Sequence, residues 1–434
     1  MFIACDPEDV RAQARAATER WRAGTPRGPL DGVPVAIKDE VDLVPYPTTA
    51  GTRFFGRRPA ARDATSVARL RAAGAVLLGK ANMHEIGLGV TGLNPHHGTA
   101  RNPCDPTRIT GGSSSGSAAA VAAGFCPLAL GCDGGGSIRI PAALCGVFGL
   151  KPTFGRVSEH GAAPICWSVA HIGPIAATAR DLALGYLAMA GEDPLDPNTL
   201  GQPAPHLQGV GEGGLQGLRL GIYRPWFEDA DAEVVARCRE LLLALERAGA
   251  ELRDVEIPEL GMVRPVHAVT IALEMASSFA LAYRQDRSRF GLDVRLLLAL
   301  AYACEPTDYV HAQRLRRRIC GRFQAALGEV DAIVTPSTAG VAPPVPEDAL
   351  ATGESNFETL DRLTRFMTAA NLTGLPAITI PAGHAEGGMP VGLQAIGRAW
   401  QEHVLLRLAY AAEPAVERRR PAVHWPLLGE PAGS

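Results

Sequence analysis

Of the 42 basic residues in this chain, three are lysine: Lys38, Lys80 and Lys151. Arginine serves wherever a fixed positive charge suffices, because a guanidinium keeps its proton in a protein, whereas a buried lysine can give its proton up and act as a base. The three lysines are therefore the first candidates for proton transfer, although ordinary packing accounts for more lysines than catalysis does. Two loops of small residues supply a second chemical signal, 110–117 (TGGSSSGS) and 131–137 (GCDGGGS). Each precedes a helix-compatible run. Glycines at a helix start expose backbone N–H groups that can bind a phosphate or stabilise the oxyanion of a tetrahedral intermediate. A flexible linker is the plain alternative for one such loop, but two of them flanking an apolar run argue against it.

Nucleotide readings fail on details. Residues 74–81 (GAVLLGKA) have P-loop spacing, but Ala81 stands where the metal-binding hydroxyl belongs and the interior is strand-like. Residues 87–92 (GLGVTG) match GxGxxG, yet no clean strand precedes them and no acidic residue follows about twenty positions on. The stretch from Gly112 to Gly116 formally satisfies GxSxG with Ser114 as nucleophile. That elbow should follow a buried strand, and 101–110 (RNPCDPTRIT) is a polar, proline-broken loop. Most of the 11 histidines have no obvious partner, and single ones such as His171 and His267 read as structural.

The elements that must carry these residues follow an alternating α/β pattern. Asp6 and Pro7 open an amphipathic helix to about residue 23, with Asp as N-cap and Pro at the first turn. Residues 33–37 (VPVAI) form a buried strand, which places Lys38 at its end, where a side chain can emerge into a cleft. A helix over 64–73 leads through Gly74 into a strand at 75–78. Further strands are expected at 127–130, 218–223, 332–335, 377–380 and 392–396. The Pro- and Gly-rich segment 192–217 reads as a long surface connection between a Gly/Ser-rich first half and a helical second half. One continuous sheet is expected across it, within a single domain over 1–434, and 218–330 is expected to shape the substrate site.

Composition excludes several classes. Hydrophobic residues make up 47% and charged residues 20%, as in a folded globular protein, and a net charge of −3 gives no electrostatic case for nucleic acid. The 9 cysteines contain no CxxC pair, against a zinc site or a compact disulfide framework, and a reducing cytoplasm fits best. The N-terminus lacks a basic stretch before an apolar run, so export is not indicated. The most apolar stretches are interrupted short of about 18 clean residues, so no membrane span is expected, although an apolar patch could touch a bilayer.

Read together, GPLDGVPVAIKDEVD (28–42), TGGSSSGSAAAVAAG (110–124) and GCDGGGSIRIPAALCGVFGLKPTFGRVS (131–158) resemble the amidase signature family. The resemblance extends through GKANMHE (79–85), RNPCDP (101–106), HIGPIA (171–176), NLTGLPAITIPAG (371–383) and PVGLQAIG (390–397), leaving about 190–330 without family motifs. It implies an α/β fold, a single large mixed β-sheet flanked by helices on both faces. It also implies hydrolysis of a carboxamide with no metal and no organic cofactor. Transferred residue by residue, the family's base falls on Lys38, its cis-peptide serine on Ser113 and its nucleophile on Ser137. The resemblance makes the backbone N–H groups of Gly134, Gly135, Gly136 and Ser137 the oxyanion donors. Ser114 would help hold Lys38, Asp133 and Arg139 would brace the loop as a pair, and Lys151 would be structural.

The chemistry accounts for these residue types. An ordinary lysine, with a pKa of about 10.4, is cationic at neutral pH, so burial and nearby donors must bring it toward roughly 7 to 8 before it can serve as a base. Lys38 is therefore expected to be buried. Many family members carry threonine where this chain has Gly134, and DGGGSIRIPA, GKANMHE and SSSGSAA look closest to the plant-type fatty acid amide hydrolase branch, which suggests an apolar acyl pocket. Ile86, Leu88, Cys132, Trp167 and Met367 are its expected lining. The segment ahead of Gly28 is short, so helices that often precede this motif in relatives are expected to be short or absent. Expected substrates are N-acyl amines, anilides and primary amides, with carbamates or esters as alternatives. A glutamine amidotransferase subunit would share the triad but need partner subunits, and a homodimer is compatible with the sequence.

Overall fold

A computed structural model of the chain describes residues 1–353 and 356–425. Among them eleven strands form one sheet: β1 (Phe2–Ala4), β2 (Pro34–Lys38), β3 (Val76–Ala81), β4 (Leu128–Cys132), β5 (Phe148–Lys151), β6 (Ile172–Ala176), β7 (Arg219–Ile222), β8 (Glu251–Asp254), β9 (Ala332–Pro336), β10 (Ala377–His384) and β11 (Pro390–Gly397). Their order is β1-β3-β2-β4-β6-β5-β10-β11-β9-β7-β8. β2 runs parallel to β3 and β4, and β7 runs parallel to β8 and β9, while the other neighbours are antiparallel. The sheet is therefore mixed and continuous. The β10–β11 hairpin joins its halves, with β10 on β5 and β11 on β9.

Both faces are covered, as the alternation of strand side chains requires. Val35 and Ile37 of β2 and Leu128 and Leu130 of β4 enter a large core packed under the helices Thr65–Ala72, Ala179–Met189, Ala232–Arg247 and Glu402–Ala412. Ala36 and Ala129, one residue out of step, point to the other face, against the helices Ser115–Ala122 and Arg139–Cys145. Lys38 lies two residues beyond Ala36 and so emerges on that second face. Helix Ser115–Ala122 is buried nearly all round, and its small residues allow backbone-to-backbone packing: a Cβ at Gly116 would stand 2.3 Å from the carbonyl oxygen of Met1.

The first helix spans Pro7–Arg22, with Asp6 accepting from the backbone of Glu8 and Asp9 as an N-cap should. Four strands escape the sequence reading. β6 (IGPIA) contains Gly and Pro, which read as loop; β5 is short and glycine-bearing; β8 (ELRD) is charged because it is a sheet edge; β1 has three residues. The connection 192–217 contains one short 3-10 turn, Pro197–Thr199, and Asp193 ties it down by accepting from Thr65 and Ser158. Among the described residues no helix is long and apolar enough to cross a membrane.

Candidate active site

The end of β2 sets the position of the Lys38 side-chain nitrogen. This Nζ lies 2.8 Å from Ser113 Oγ, 3.2 Å from the carbonyl oxygen of Cys132 and 2.6 Å from Glu40 Oε2, and the side chain is 1% exposed. Burial of Lys38 is thus as the sequence requires, and its contact with Glu40 is not foreseen. Ser113 follows a cis Gly112–Ser113 peptide and stands just ahead of helix Ser115–Ala122. The next residue links the two small-residue loops, since Ser114 N–H donates to the carbonyl of Ser137 at 3.2 Å. No hydrogen bond joins Ser114 to Lys38 among the described contacts. Its hydroxyl donates to the Cys132 carbonyl at 3.2 Å and accepts from Cys132 N–H, so it steadies the same carbonyl that Lys38 uses.

The loop after β4 is organised by a buried ion pair. Arg139 grips Asp133 with two N–H groups, at 3.0 and 2.9 Å, and directs its other donors to the Met367 carbonyl, Gln394 and Asn371. Burial alone would raise the Asp133 carboxyl, but the Arg139 guanidinium overrides it and holds the group well below the usual range. This pairing is as the sequence reading has it.

Three carbonyls in the loop are pinned. The Asp133 carbonyl accepts from Asn371 Nδ2 at 2.8 Å, the Gly134 carbonyl from His267 Nε2 at 2.7 Å, and the Gly136 carbonyl from Ile140 N–H at 2.7 Å. In a planar trans peptide the N–H points opposite to the C=O. The N–H groups of Gly134, Gly135 and Ser137 are thereby turned away from these partners, and they make no hydrogen bond among the described residues. Gly136 departs from expectation: its N–H donates to Asp133 Oδ1 at 2.7 Å, so it braces the loop and is not open to an oxyanion. Burial pushes the His267 imidazole down to about 4, so at neutral pH the ring is uncharged, with its proton on Nε2.

A cavity of about 1070 Å³ opens onto Lys38, Glu40, Ser113, Ser137 and His267. Ser137 is 5% exposed, and no hydrogen bond joins its Oγ to Ser113 among the described contacts. Leu88 and Cys132 line the cavity as expected. The other three expected lining residues do not. Ile86 is fully buried in a cluster with Met275 and Phe279. Met367 packs behind the loop, where a Cβ on Gly136 would meet it at 2.8 Å. Trp167 is 48% exposed and lies off the wall. Much of the wall comes instead from the helices Val263–Ser278 and Leu292–Tyr302, including Ile271, Ala272, Leu297 and Leu300. Both helices fall within 218–330, the segment expected to shape the substrate site, although no motif marks their individual residues.

The other two lysines lie apart from this cavity. Lys80 is held by the Val41 carbonyl, Thr48 and Asp39. Lys151 donates to the Pro152 carbonyl at 2.9 Å, and burial pushes it well down. Residues 76–81 are strand, as their apolar interior suggests.

The Amidase family profile matches residues 1–406. A fatty acid amide hydrolase of Oryza sativa subsp. indica is 44% identical over 439 aligned residues, covering 99% of this chain and 72% of that protein. A glutamyl-tRNA(Gln) amidotransferase component from Roseiflexus sp. is 39% identical, covering 94% of this chain and 88% of that one. Among solved structures, the native peptide amidase of Stenotrophomonas maltophilia superposes with a TM-score of 0.82 at 34% identity, covering 97% of this chain and 90% of its own.

Proposed function

The chain belongs to the amidase family, and from that premise we propose that it hydrolyses carboxamides through an acyl-enzyme on Ser137, with Ser113 as proton relay and Lys38 as base. The observation that carries the assignment is the 2.8 Å contact between Lys38 Nζ and Ser113 Oγ, beside a cavity that Ser137 also lines. Ser137 Oγ attacks the amide carbon as its proton passes to Ser113, and the proton of Ser113 passes to Lys38. The carbonyl π bond opens to an oxyanion, which Gly134, Gly135 and Ser137 N–H are placed to receive. Collapse breaks the C–N bond, the amine takes a proton from Ser113, and Ser113 recovers one from Lys38. Water then attacks the ester by the same relay. Ser113 and Ser137 must come within hydrogen-bond reach when substrate binds, as such contacts commonly do.

The apolar walls supplied by the helices Val263–Ser278 and Leu292–Tyr302 favour an N-acyl amine or anilide with an apolar acyl chain, and give residues 218–330 their substrate-shaping role. Unpaired cysteines fit a cytoplasmic setting. A panel of amides graded in acyl length and amine type tests the reading, with a fluorophosphonate probe to report the nucleophile. The purified chain alone is expected to turn over apolar N-acyl amides and to label at Ser137, and Ser137→Ala is expected to abolish both. Wild-type turnover by Ser137→Ala would overturn the assignment. Activity confined to glutamine and dependent on added partner chains would favour the amidotransferase alternative.

A further inference from the structure

The Glu40 carboxylate is the feature that the proposed mechanism leaves unused. It is 6% exposed, lines the cavity and sits 2.6 Å from Lys38 Nζ. A Cβ built on Gly87 would lie 3.6 Å from Ser113 Oγ and 3.8 Å from Glu40 Oε2, so both oxygens face the same small space around the amine. The turn that ends β2 explains the placement: Val41 N–H donates to the Lys38 carbonyl at 3.1 Å, and Glu40, at the third position of that turn, is folded back beside the amine. Asp39 turns to the other side, where it accepts from the backbone of Thr49 and Gly51.

We propose, resting on the Ser137–Ser113–Lys38 reading, that Glu40 is a positioning residue that orients the Lys38 amine and stabilises the ammonium formed when Ser113 gives up its proton. A neutral amine has two N–H bonds and one lone pair. If Glu40 accepts one N–H and the Cys132 carbonyl the other, the lone pair is left facing Ser113 Oγ. When the proton arrives, the amine becomes an ammonium beside a carboxylate in a desolvated site, where the attraction is strong. The arrangement parallels the carboxylate that orients and supports the histidine of a Ser-His-Asp triad. The proton count balances, because the transferred proton resides on Lys38 Nζ and none passes to or from Glu40.

The same contact has an opposing effect in the resting enzyme. A carboxylate beside an amine favours the protonated amine, while burial favours the neutral one. Other groups face the pair. The Cys132 and Cys166 thiols are pushed well up by burial and by the Glu40 charge. The Glu159 carboxyl is pushed well up by burial, with Asp196 and Glu40 adding to it. Glu274, on the helix Val263–Ser278, is bound to Ser168 and Tyr309. With Asp39 engaged on the far side, Glu40 is the carboxylate that contacts the amine directly.

The test is the pH dependence of kcat/KM for an anilide and of fluorophosphonate labelling, in wild type, Glu40→Gln and Glu40→Asp. In Glu40→Gln the amine loses its proton more readily, so the acid limb is expected to move to lower pH by about one unit or more, while the alkaline plateau falls about tenfold. The two profiles then cross, which mere loosening of the fold would not produce. Glu40→Asp retains the charge and is expected to return the acid limb toward wild type. If Glu40→Gln does not fold, as judged by thermal melting, Glu40→Asp is read alone: a lowered alkaline plateau with the acid limb near wild type supports the proposal, because the shorter side chain keeps the charge and loses the orientation, and an unchanged plateau overturns it. An unshifted limb in an active Glu40→Gln also overturns it, and leaves the Ser137 assignment standing. Labelling that survives Ser137→Ala would instead sink the assignment beneath it.

Discussion

His267 Nε2 donates to the carbonyl oxygen of Gly134 at 2.7 Å, joining a helix from the motif-free middle of the chain to the loop that carries Ser137. The peptide it holds is the one whose N–H, on Gly135, is turned away from His267 and, in the proposed mechanism, receives the oxyanion.

Replacing His267 by Ala releases that peptide. The expected result is a fall in kcat of about 10² with a small change in KM, the pattern of an oxyanion donor that acts in the transition state. Steady-state kinetics on one anilide checks it. His267→Gln, which keeps an N–H donor, is expected to recover part of the loss.

The same imidazole makes stability depend on pH. Burial pushes His267 from 6.5 down to about 4, so between those values the unfolded chain binds a proton that the folded chain does not. Stability therefore falls as pH drops through this window and levels off below it, a loss of about 3 kcal/mol for this one group. His171, pushed well down by burial, adds in the same direction. Urea midpoints at pH 7 and pH 4.5 are expected to differ, and to differ less in His267→Gln.

Removal of Arg139 leaves Asp133 buried without its partner. Arg139→Met is expected to destabilise the fold by about 3 to 5 kcal/mol, the cost typical of breaking a buried pair from one side. Chemical denaturation measures it, and amide turnover is expected to be lost with the loop.

Gly134 stands where a side chain would meet Cys166, since a Cβ there lies 2.8 Å from Cys166 Sγ. Gly134→Thr alone is expected to reduce turnover, and the double variant Gly134→Thr with Cys166→Ala to restore much of it. Equal losses in the single and double variants would show that the thiol is not the obstacle.

Local features of the site were legible in the sequence because each is dictated by its neighbours. VPVAI reads as a buried strand, so Lys38 belongs at a strand end, and the Gly-rich runs belong at helix starts. Glu40 was not marked, because the turn closing from Lys38 to Val41, and not strand alternation, brings its carboxylate back to the amine. Nor was His267, because it lies 133 positions from Gly134 and only tertiary packing brings them together. Ile86 and Met367 failed as pocket residues for a related reason: an apolar residue next to a motif can face the ligand or back the loop, and spacing does not distinguish the two. β6 was missed because Gly173 and Pro174 look like turn residues until the flanking strands claim them.

The late position of Asn371 and of the β10–β11 hairpin in the chain has a consequence for synthesis. A ribosome has released Lys38, Ser113 and Ser137 long before Asn371 and Gln394, which the Arg139 guanidinium needs, and before the strand that covers the open edge of β5. Until the C-terminal part leaves the exit tunnel, the nascent chain thus carries Ser137 on a loop that Arg139 braces without these two partners, and β5 with one edge unpaired.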